Sequence, residues 1–599
     1  MLLRLFIIAL AVFPHVSRSQ IALGEWRDHL AYQEGRDVEV VGDIVYCATA
    51  SGIIEYYKSD NTINRLSSVN YLSDLSPTCL HYNNTTGWLV IGYENGNVDL
   101  LKGTTIVNIP FIKTTTNIIG NKEIYDAYSI GDLVYLSCGF GIVVVDMSHE
   151  EIKDTYIIGP GGTNLEVYSI VATNDTIFAG TEMGLYKADV NNQFLADFNA
   201  WEHDITLPDS IESGSINNLF LHQGDLYLNA DRVPYNGDIF YHRDPIVGFE
   251  VFRQEDVWDV RADGNELILA HNADCKRYDL SGNVLNTYYF ISDGGFLSPR
   301  GLAYEAGDIK WLADSERGLV RFQAEFNSSS ITPSGPGSNI CFDMDSQDES
   351  VYTVNGAISG GAWLNNFSRP VVSAFSDNDW TYDDVKTEPA LDSLDYYDLV
   401  SVAVNPSDPT EVFTGSMSFG GLFHWQNGQL VNRYETSNSS LQDRSPVFPN
   451  YIAVAGLDFD SEGNLWVSNA FCNEPLSVRT SSGSWRSFYM GNAVAGELIT
   501  DLKVDPYGQI WMIVPGTGVM VYNPNGTVSD DSDDSYRLLT SAANSGGIQN
   551  IDIESMAIDQ DGEVWLGTQD GIEVIFASTA ITEGSTVNAQ QILLEQDGK

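Results

Sequence analysis

The sequence predicts an all-β protein built from two consecutive β-propellers. The composition gives the first indication, because 53 Gly, 30 Tyr and 12 Trp in 599 residues favour many short strands joined by tight turns. A strand–turn–strand unit that recurs along the chain gives the second. Its spacing, which lies in the forties, gives the third, since that period with about four strands per unit is typical of propeller blades.

The repeat is clearest in residues 556–575. Apolar runs at both ends and a central strand carrying Trp565 are separated by turns at residues 560–562 and 568–571. The Asp561-Gly562 pair between apolar runs predicts a hairpin, because Gly supplies the positive φ that such turns need. This unit buries too little surface to fold alone, so the number of copies decides the fold.

Seven copies precede residue 326, which predicts a first, seven-bladed propeller over residues 20–325. Adjacent central residues of the second strands are 43, 46, 43, 49, 40 and 44 positions apart. These central residues are Tyr46, Leu89, Tyr135, Phe178, Tyr227, Leu267 and Trp311.

A Ser-, Pro- and Gly-rich segment at residues 326–337 predicts a linker, and the repeat resumes over residues 338–599. After a degenerate copy in residues 340–385, the central residues are Phe413, Trp466, Trp511 and Trp565. These copies amount to about five blades. A closed ring of five is one interpretation. Because the first ring has seven blades, we expect a seven-bladed second propeller that is incomplete in this chain.

Residues 1–19 predict a secretory signal peptide. Arg4 supplies the positive end, the apolar run of residues 5–13 is too short to cross a bilayer, and small residues precede a cleavage site between Ser19 and Gln20. No later stretch is long and apolar enough to predict a transmembrane helix. The chain is therefore expected to be exported.

A net charge of −52 excludes nucleic acid as a partner, because the chain would repel phosphate. The acidity suits a solvated extracellular surface. Six scattered cysteines without a C-x-x-C pair are predicted to be mainly buried free thiols, although an exported chain can form disulfides. The six are Cys47, Cys79, Cys138, Cys275, Cys341 and Cys472.

No catalytic residue, metal ligand or cofactor is predicted. The acidic stretch from Asp458 to Gly463 resembles the start of a calcium loop, but the twelfth position is Asn469 rather than Glu, so turn formation is the preferred interpretation. Residues 343–345 and 530–534 are expected to be solvated acidic loops, and calcium binding there is left open. The histidines have no zinc-type spacing, and no nucleophile elbow is present.

Nine of the twelve tryptophans fall into two groups. Trp311, Trp466, Trp511 and Trp565 occupy one repeat position, which predicts packing between blades. Five others lie outside that register and are the candidates for an exposed contact surface. These are Trp26, Trp201, Trp363, Trp380 and Trp485.

Residues 556–572 resemble the two-component regulator propeller repeat almost throughout, and residues 178–185 resemble its second half. The start of the mature chain, residues 20–30 followed by residues 38–56, resembles PorZ-type proteins of the type IX secretion system. That family's C-terminal sorting domain has no counterpart in this chain.

The resemblance implies a secreted two-propeller binding and scaffold protein without catalytic activity. It implies passage through the periplasm to the outer-membrane surface. The implied partners are a sortase-like protease and outer-membrane attachment proteins, and the implied ligand is anionic lipopolysaccharide presented for conjugation to secreted cargo.

Two other classes remain open. One is the extracytoplasmic sensor region of a two-component (hybrid) histidine kinase, which would carry a transmembrane helix and a kinase beyond Lys599. The other is a propeller enzyme such as a lyase or glycosidase, which predicts an acid–base cluster in a channel. In each case the ligand is expected at the mouth of a propeller channel, by analogy with the fold, and its residues are unknown.

Overall fold

The computed structural model describes residues 26–592, apart from residues 209, 210, 212, 213, 232–236, 245–247, 293, 306–308, 325, 357, 360–363, 445–447 and 577–580. The predicted signal peptide, with its cleavage site between Ser19 and Gln20, lies outside the described residues. The regular secondary structure of the described residues is almost entirely antiparallel sheet, and the prediction of an all-β fold with consecutive propellers is confirmed.

The first propeller consists of seven four-stranded sheets, blades 1–7, in which sequential strands pair side by side. Blade 1 comprises Gly35–Val41, Ile44–Thr49, Ile53–Tyr57 and Ile63–Leu66, and blade 2 comprises Pro77–Asn83, Trp88–Tyr93, Val98–Lys102 and Thr105–Asn108. Blade 3 comprises Ile124–Ile130, Leu133–Cys138, Gly141–Asp146 and Glu151–Tyr156, and blade 4 comprises Val167–Ala172, Thr176–Thr181, Gly184–Asp189 and Glu202–His203. Blade 5 comprises Ile216–His222, Asp225–Ala230, Ile239–Asp244 and Gly248–Arg253. Blade 6 comprises Asp259–Asp263, Glu266–Ala270, Cys275–Asp279 and Val284–Tyr288. Blade 7 comprises Pro299–Glu305, Ile309–Asp314, Gly318–Ala324 and Asn327–Ile331.

Blade 7 packs directly against blade 1, which closes the first ring. Trp311 is fully buried in one apolar cluster with Val38, Cys47 and Tyr56 of blade 1. The inner strands approach so closely that a Cβ at Gly301 would lie 2.9 Å from the Asp37 Cα atom. Seven blades therefore complete this ring.

The second propeller is described as five blades, 8–12. Blade 8 comprises Asp343–Gln347, Ser350–Val354, Val371–Ser376 and Asp379–Asp384, and blade 9 comprises Leu399–Val404, Glu411–Ser418, Leu422–Gln426 and Gln429–Tyr434. Blade 10 comprises Ile452–Phe459, Leu465–Ala470, Leu476–Arg479 and Trp485–Phe488, and blade 11 comprises Asp501–Val504, Ile510–Val514, Gly518–Asn523 and Ser535–Leu539. Blade 12 comprises Ile553–Ile558, Val564–Thr568, Gly571–Ile575 and Gln590–Ile592. Adjacent inner strands contact one another from blade 8 to blade 12. The expected total of seven blades stays a prediction.

Two short pairings are added to this propeller. Ile358–Ser359 and Leu364–Asn365 form a hairpin inside blade 8, and Ser545–Gly546 pairs in parallel with Val587–Asn588. Helical structure among the described residues is limited to the four-residue helix Phe111–Thr114 and three short 3-10 turns. These turns are Pro160–Gly162, Phe198–Ala200 and Pro389–Leu391.

The recurring Asp and Trp of the repeat bond to each other. In blade 10, Asp460 Oδ1 accepts the backbone N–H groups of Glu462 and Asn464, while its Oδ2 accepts the Trp466 indole N–H at 2.9 Å. Asp505 with Trp511 and Asp559 with Trp565 repeat the indole bond at the same distance. The predicted role of this Asp as a turn former is confirmed, and the carboxylate also orients the blade's central Trp.

The predicted packing role between blades is confirmed for Trp466 and Trp511. Trp466 and Trp511 are at most 1% exposed, and each lies in an apolar cluster shared with the next blade. Trp565, in blade 12, is half-buried.

The five tryptophans that were predicted to provide an exposed contact surface do not form a common one. Trp26 is 87% exposed, as predicted. The prediction is wrong for Trp201, which is buried in an apolar cluster with Tyr186 and Leu195, where its indole N–H donates to the Leu195 carbonyl oxygen at 2.9 Å. Trp380 and Trp485 are half-buried, and Trp363 lies outside the described residues.

The cysteine prediction is confirmed for five of the six thiols. Cys47, Cys79, Cys138, Cys275 and Cys472 are free and buried within blades. The sixth cysteine, at position 341, is also free but exposed.

The segment before blade 1 joins the two propellers. The backbone N–H of Ala31 donates to Asn339 Oδ1 at 2.9 Å, and the Trp380 indole N–H donates to His29 Nδ1 at 2.9 Å. On its other side, the Gln33 carbonyl oxygen accepts the backbone N–H of Gly318 in blade 7. This segment therefore contacts blade 7 and blade 8 at once.

Trp311→Ala is expected to lower the free energy of unfolding of the first propeller by about 3–5 kcal/mol, because it removes the largest side chain at the closure of the ring. Urea denaturation followed by circular dichroism measures the change. Trp26→Ala is the control, with an expected effect within about 0.5 kcal/mol because that side chain is exposed. Equal effects of the two substitutions would contradict the closure role of Trp311.

Candidate binding site in the channel of the first propeller

The inner strands of blades 1–7 surround a cavity of about 890 Å³ along the propeller axis. That volume lies within the range of small-molecule sites. Residues at the starts of the inner strands lie together at one mouth of this channel. They are Arg36, Thr78, Tyr125, Tyr168, Asn217, Trp258 and Arg300.

Carboxylates on the inner strands join each blade to the next. Asp37 Oδ1 accepts the backbone N–H of Val38, and its Oδ2 accepts that of Leu80 in blade 2 at 2.7 Å. Asp259 accepts the N–H groups of Val260 and of Leu302 in blade 7, both at 2.7 Å. Each carboxylate thus satisfies an amide that would otherwise face the channel unpaired.

The same arrangement recurs in the second propeller. Asp343 and Asp345 of blade 8 accept the backbone N–H groups of Val402 and Val404 at 2.9 and 2.7 Å. The prediction of a solvated loop at residues 343–345 is therefore wrong, because these residues form an inner strand whose carboxylates reach blade 9. The loop at residues 530–534, in contrast, is exposed up to Asp533.

One cation in the first channel is shared by four carboxylates. The Arg261 guanidinium donates to Asp259, and Asp37, Glu39 and Asp126 also stabilise its charge. Burial alone would lower the pKa of Arg261, but these carboxylates raise it. Its side chain is 36% exposed, and that exposed surface faces the channel rather than the outside of the protein.

Burial raises the carboxyl pKa values in this channel. The pKa of Asp37 rises to about 8 through burial and then the nearby Asp259 charge. Burial raises the pKa of Glu39 to about 7 and that of Asp126 to about 6. Burial also lowers the pKa of His81 to about 4, so this imidazole is neutral at pH 7.

The second propeller has an equivalent cluster around Lys503. Burial would lower its pKa, but Asp501, Asp458, Asp343 and Asp345 raise it. Both cations follow an Asp by two positions on an inner strand, as Asp259-Val260-Arg261 and Asp501-Leu502-Lys503. Side chains two apart on a strand share one face, so the pair points into the channel.

The mouth of the first channel presents aromatic faces and arginine side chains. The Arg300 guanidinium lies 4.2 Å from the ring centroid of Trp258, whose side chain is 47% exposed. The Tyr125 and Tyr168 rings meet edge to face at 5.0 Å, and both hydroxyls donate to Glu166 Oε2. Aromatic faces beside fixed polar groups are suited to binding an amphipathic ligand such as a sugar.

The sequence predicts a ligand at a channel mouth, and it does not single out the residues of this candidate site. The ligand was expected at a channel mouth by analogy with the fold, whereas Asp37, Asp259 and Arg261 were not singled out. The sequence does contain a signal for them, because charged residues alternate along the inner strands. A buried strand normally carries apolar residues at such positions.

Residues 45–202 match a protein-family model described as the PorZ N-terminal β-propeller domain of the type IX secretion system. The predicted resemblance to PorZ-type proteins is thereby confirmed within the first propeller. No curated protein sequence matches the chain.

A solved structure of PorZ superposes on 95% of this chain and 75% of its own with a TM-score of 0.79 and 22% identity. It is described as an essential surface component of the type IX secretion system of Porphyromonas gingivalis. The likeness shows the fold, including the succession of two propellers.

Two further solved structures superpose less well. The extracellular domain of a hybrid two-component system from B. thetaiotaomicron covers 94% of this chain and 78% of its own, with 13% identity and a TM-score of 0.38. An ancestral GH74 enzyme covers 94% of this chain and 93% of its own, with 12% identity and a TM-score of 0.45. Within its described part, the chain has no helix of the length and apolarity that a membrane span requires.

The first propeller is expected to lose stability as the pH rises from about 5 to about 9. Its carboxyls have ordinary pKa values when unfolded but raised values when folded, so the folded state binds more protons in this window. The stabilisation is complete below pH about 4 and is lost as the pH passes through about 6 to 8.

Melting temperature against pH measures this effect, and Asp37→Asn is expected to reduce the slope. Asp60→Asn, at an exposed site where hydrogen bonds to Thr62 lower the pKa, should leave the slope unchanged. A melting temperature that rises across the window would contradict the assignment.

Proposed function

We propose that this chain is a PorZ-type surface component of a type IX secretion system, acting as a non-catalytic binding platform. The observation that carries the proposal is the PorZ family match at residues 45–202 within a chain whose fold follows PorZ over 95% of its length. The two-propeller architecture supports a scaffold, because loops from many blades converge at each channel mouth.

The hydrogen bonding of the channel carboxylates supports a binding role over a catalytic one. Asp37 and Asp259 have both oxygens engaged with backbone amides of two blades. Asp126 accepts the backbone N–H of Ala127 and the side-chain hydroxyl of Ser169 in blade 4. A general acid or base must reach the substrate, and these groups are instead committed to holding the ring together.

The proposed ligand is anionic lipopolysaccharide, bound at the mouth of the first channel. Arg36 and Arg300 supply the cations that an anionic sugar requires, and Trp258 supplies a face on which a sugar ring can stack. The net charge of −52 opposes such a ligand at long range, so recognition would depend on these local groups.

The proposed location is the outer-membrane surface, reached through the periplasm after removal of residues 1–19. The proposed partners are a sortase-like protease and outer-membrane attachment proteins.

Deletion of the gene is expected to cause cargo of the type IX system to accumulate inside the cell and to disappear from the surface. Immunoblots of periplasmic and surface fractions measure this, and expression of the wild-type chain should restore surface cargo. Unchanged cargo secretion in the deletion strain would contradict the proposed function.

Trp258→Ala combined with Arg300→Ala is expected to reduce binding of purified anionic lipopolysaccharide at least tenfold, because it removes both the stacking face and a cation. Surface plasmon resonance measures the affinity. The control is Tyr507→Ala combined with Arg486→Ala, which removes an aromatic and an arginine from the second propeller. Equal losses in the two variants would place the ligand elsewhere.

The mature chain is expected to begin at Gln20. N-terminal sequencing or intact mass spectrometry of protein recovered from the cell surface measures this, and a surface protein that retains residues 1–19 would refute the prediction of signal cleavage.

A further inference from the structure

An arginine and several aromatic rings lie together at one face of the second propeller. Tyr451 immediately precedes the inner strand of blade 10, and Phe471 immediately follows the second strand. Because these strands are antiparallel, with Ala453 opposite Ala470, both residues lie at the same edge of the blade. Inner strands begin at this edge, as they do at the channel mouth of the first propeller. Arg444 lies in the segment that leads from blade 9 into blade 10.

Three aromatic rings surround the Arg444 side chain. The carbon of its guanidinium lies 4.0 Å from the ring centroid of Phe471, 5.4 Å from that of Tyr451 and 5.5 Å from that of Phe448. The backbone N–H of Arg444 also donates to the Tyr451 carbonyl oxygen at 2.7 Å, which fixes the segment. A guanidinium that rests on aromatic rings keeps the N–H groups of its edge for a planar acceptor such as a carboxylate.

Within the described part of the chain, no Asp or Glu forms an ion pair with Arg444. The protein offers many acids, since it has 82 Asp and Glu against 30 Lys and Arg. Other arginines at this end of the propeller use them, because Arg433 pairs with Glu435 and Arg369 pairs with Asp392. The Arg444 side chain is half-buried, so an anion from outside the protein would complete its surroundings.

A rigid turn in blade 8 presents a further ring at the same face. Phe367 is 66% exposed and has a φ of 60°. The buried carboxylate of Asp398 holds this turn by accepting the backbone N–H groups of residues 366–368 at 3.0 to 3.1 Å. Phe471 has a φ of 63°. A left-handed backbone is rare for bulky residues and is characteristic of binding sites, where the surrounding structure maintains the strain.

The exposed ring and the arginine belong to one surface. The ring centroids of Phe367 and Tyr397 are 4.8 Å apart. Burial raises the pKa of Tyr397 to about 12, and the nearby Arg444 charge opposes that rise. We therefore define the Arg444 site as Arg444 together with Phe367, Phe448 and Phe471.

We propose that the Arg444 site binds a carboxylate carried by an apolar group, as at the C-terminus of a polypeptide that ends in an apolar residue. The guanidinium would bind the carboxylate through two parallel N–H···O bonds. The phenyl rings would cover the apolar group, because Phe367 is 66% and Phe448 51% exposed. This ligand differs in class and in propeller from the lipopolysaccharide proposed above.

The composition of the Arg444 site favours such a ligand over a sugar or a polyanion. The side chains of its three phenylalanines have no hydrogen-bonding group, so sugar hydroxyls covered by them would lose their partners in water. A polyanion would require several cations, whereas this site contributes one. A single planar charge beside an apolar group matches both features.

The test is titration of the purified chain with N-acetylphenylalanine and with its amide, measured by ligand-observed NMR. We expect saturable binding of the acid in about the millimolar range, because the ligand is small. The amide should bind at least tenfold more weakly, because it lacks the carboxylate. This comparison uses the wild-type chain, so it does not depend on the folding of a variant. Equal affinities for the two compounds, or binding of neither, would overturn the proposal.

Arg444→Gln is expected to weaken binding of the acid at least tenfold and to leave binding of the amide unchanged. The matched control is Arg253→Gln in the first propeller, where the guanidinium lies 5.0 Å from the Tyr278 ring centroid. It should leave both affinities unchanged. If Arg444→Gln folds poorly by circular dichroism, Phe448→Ala removes an exposed ring instead and should weaken the acid several-fold. Unchanged affinity in a folded variant at either position would contradict the site.

Sodium glucuronate distinguishes the source of the carboxylate, because it carries this group on a sugar ring. We expect it to bind at least tenfold more weakly than N-acetylphenylalanine. Tighter binding of glucuronate would overturn the proposal and assign the Arg444 site to acidic sugars. None of these results depends on the secretion role.

Discussion

The carboxylate that reaches from one inner strand to the backbone amide of the next blade is the interaction on which the rest of the structure depends. Inner strands of neighbouring blades run side by side without forming a common ladder, so their channel-facing amides need other acceptors. Asp37, Asp259, Asp343 and Asp458 each supply one, at 2.7 to 2.9 Å. Water cannot replace them without separating the blades.

That solution carries an electrostatic cost, which the channel cations offset. A ring of buried carboxylates would repel itself, and burial already raises the pKa values of its members. Arg261 in one propeller and Lys503 in the other each stabilise four carboxylates. Two propellers of different sequence thus arrive at the same arrangement, one central cation on an inner strand, because both join their blades with acids.

The fold was predictable from the sequence because its determinants are local and repeated. The Asp that caps the turn and bonds the indole six residues later, as Asp505 does with Trp511, leaves the same pattern in blades 10, 11 and 12. Seven copies of the repeat predict a closed ring, so the central residue of the seventh copy, Trp311, is expected to pack against blade 1. In contrast, Trp201 lies in a non-repeated segment between strands, and it is buried in an apolar cluster with Tyr186 and Leu195 that no period reveals.

The residues of the candidate site could not be predicted from the sequence. Asp343 and Asp345 have the composition of a solvated loop, and only their partners in blade 9, about 59 residues later, distinguish a strand from a loop. Likewise, Asn229 is an ordinary strand residue until Asn217, Asp238 and Val257 are brought around it. Contacts of this kind join segments whose sequence separation varies freely, so spacing carries no information about them.

The segment ahead of blade 1 has a consequence for the order of events during biosynthesis. Its carbonyl and amide groups are bonded on one side to blade 7, through Gln33, and on the other to the region of Asn339 and Trp380. These partners are synthesised about 300 residues after the segment itself. This segment therefore cannot reach its final position until most of the first ring and the start of the second have left the ribosome. The first ring and its junction with the second propeller stay open until that point in synthesis.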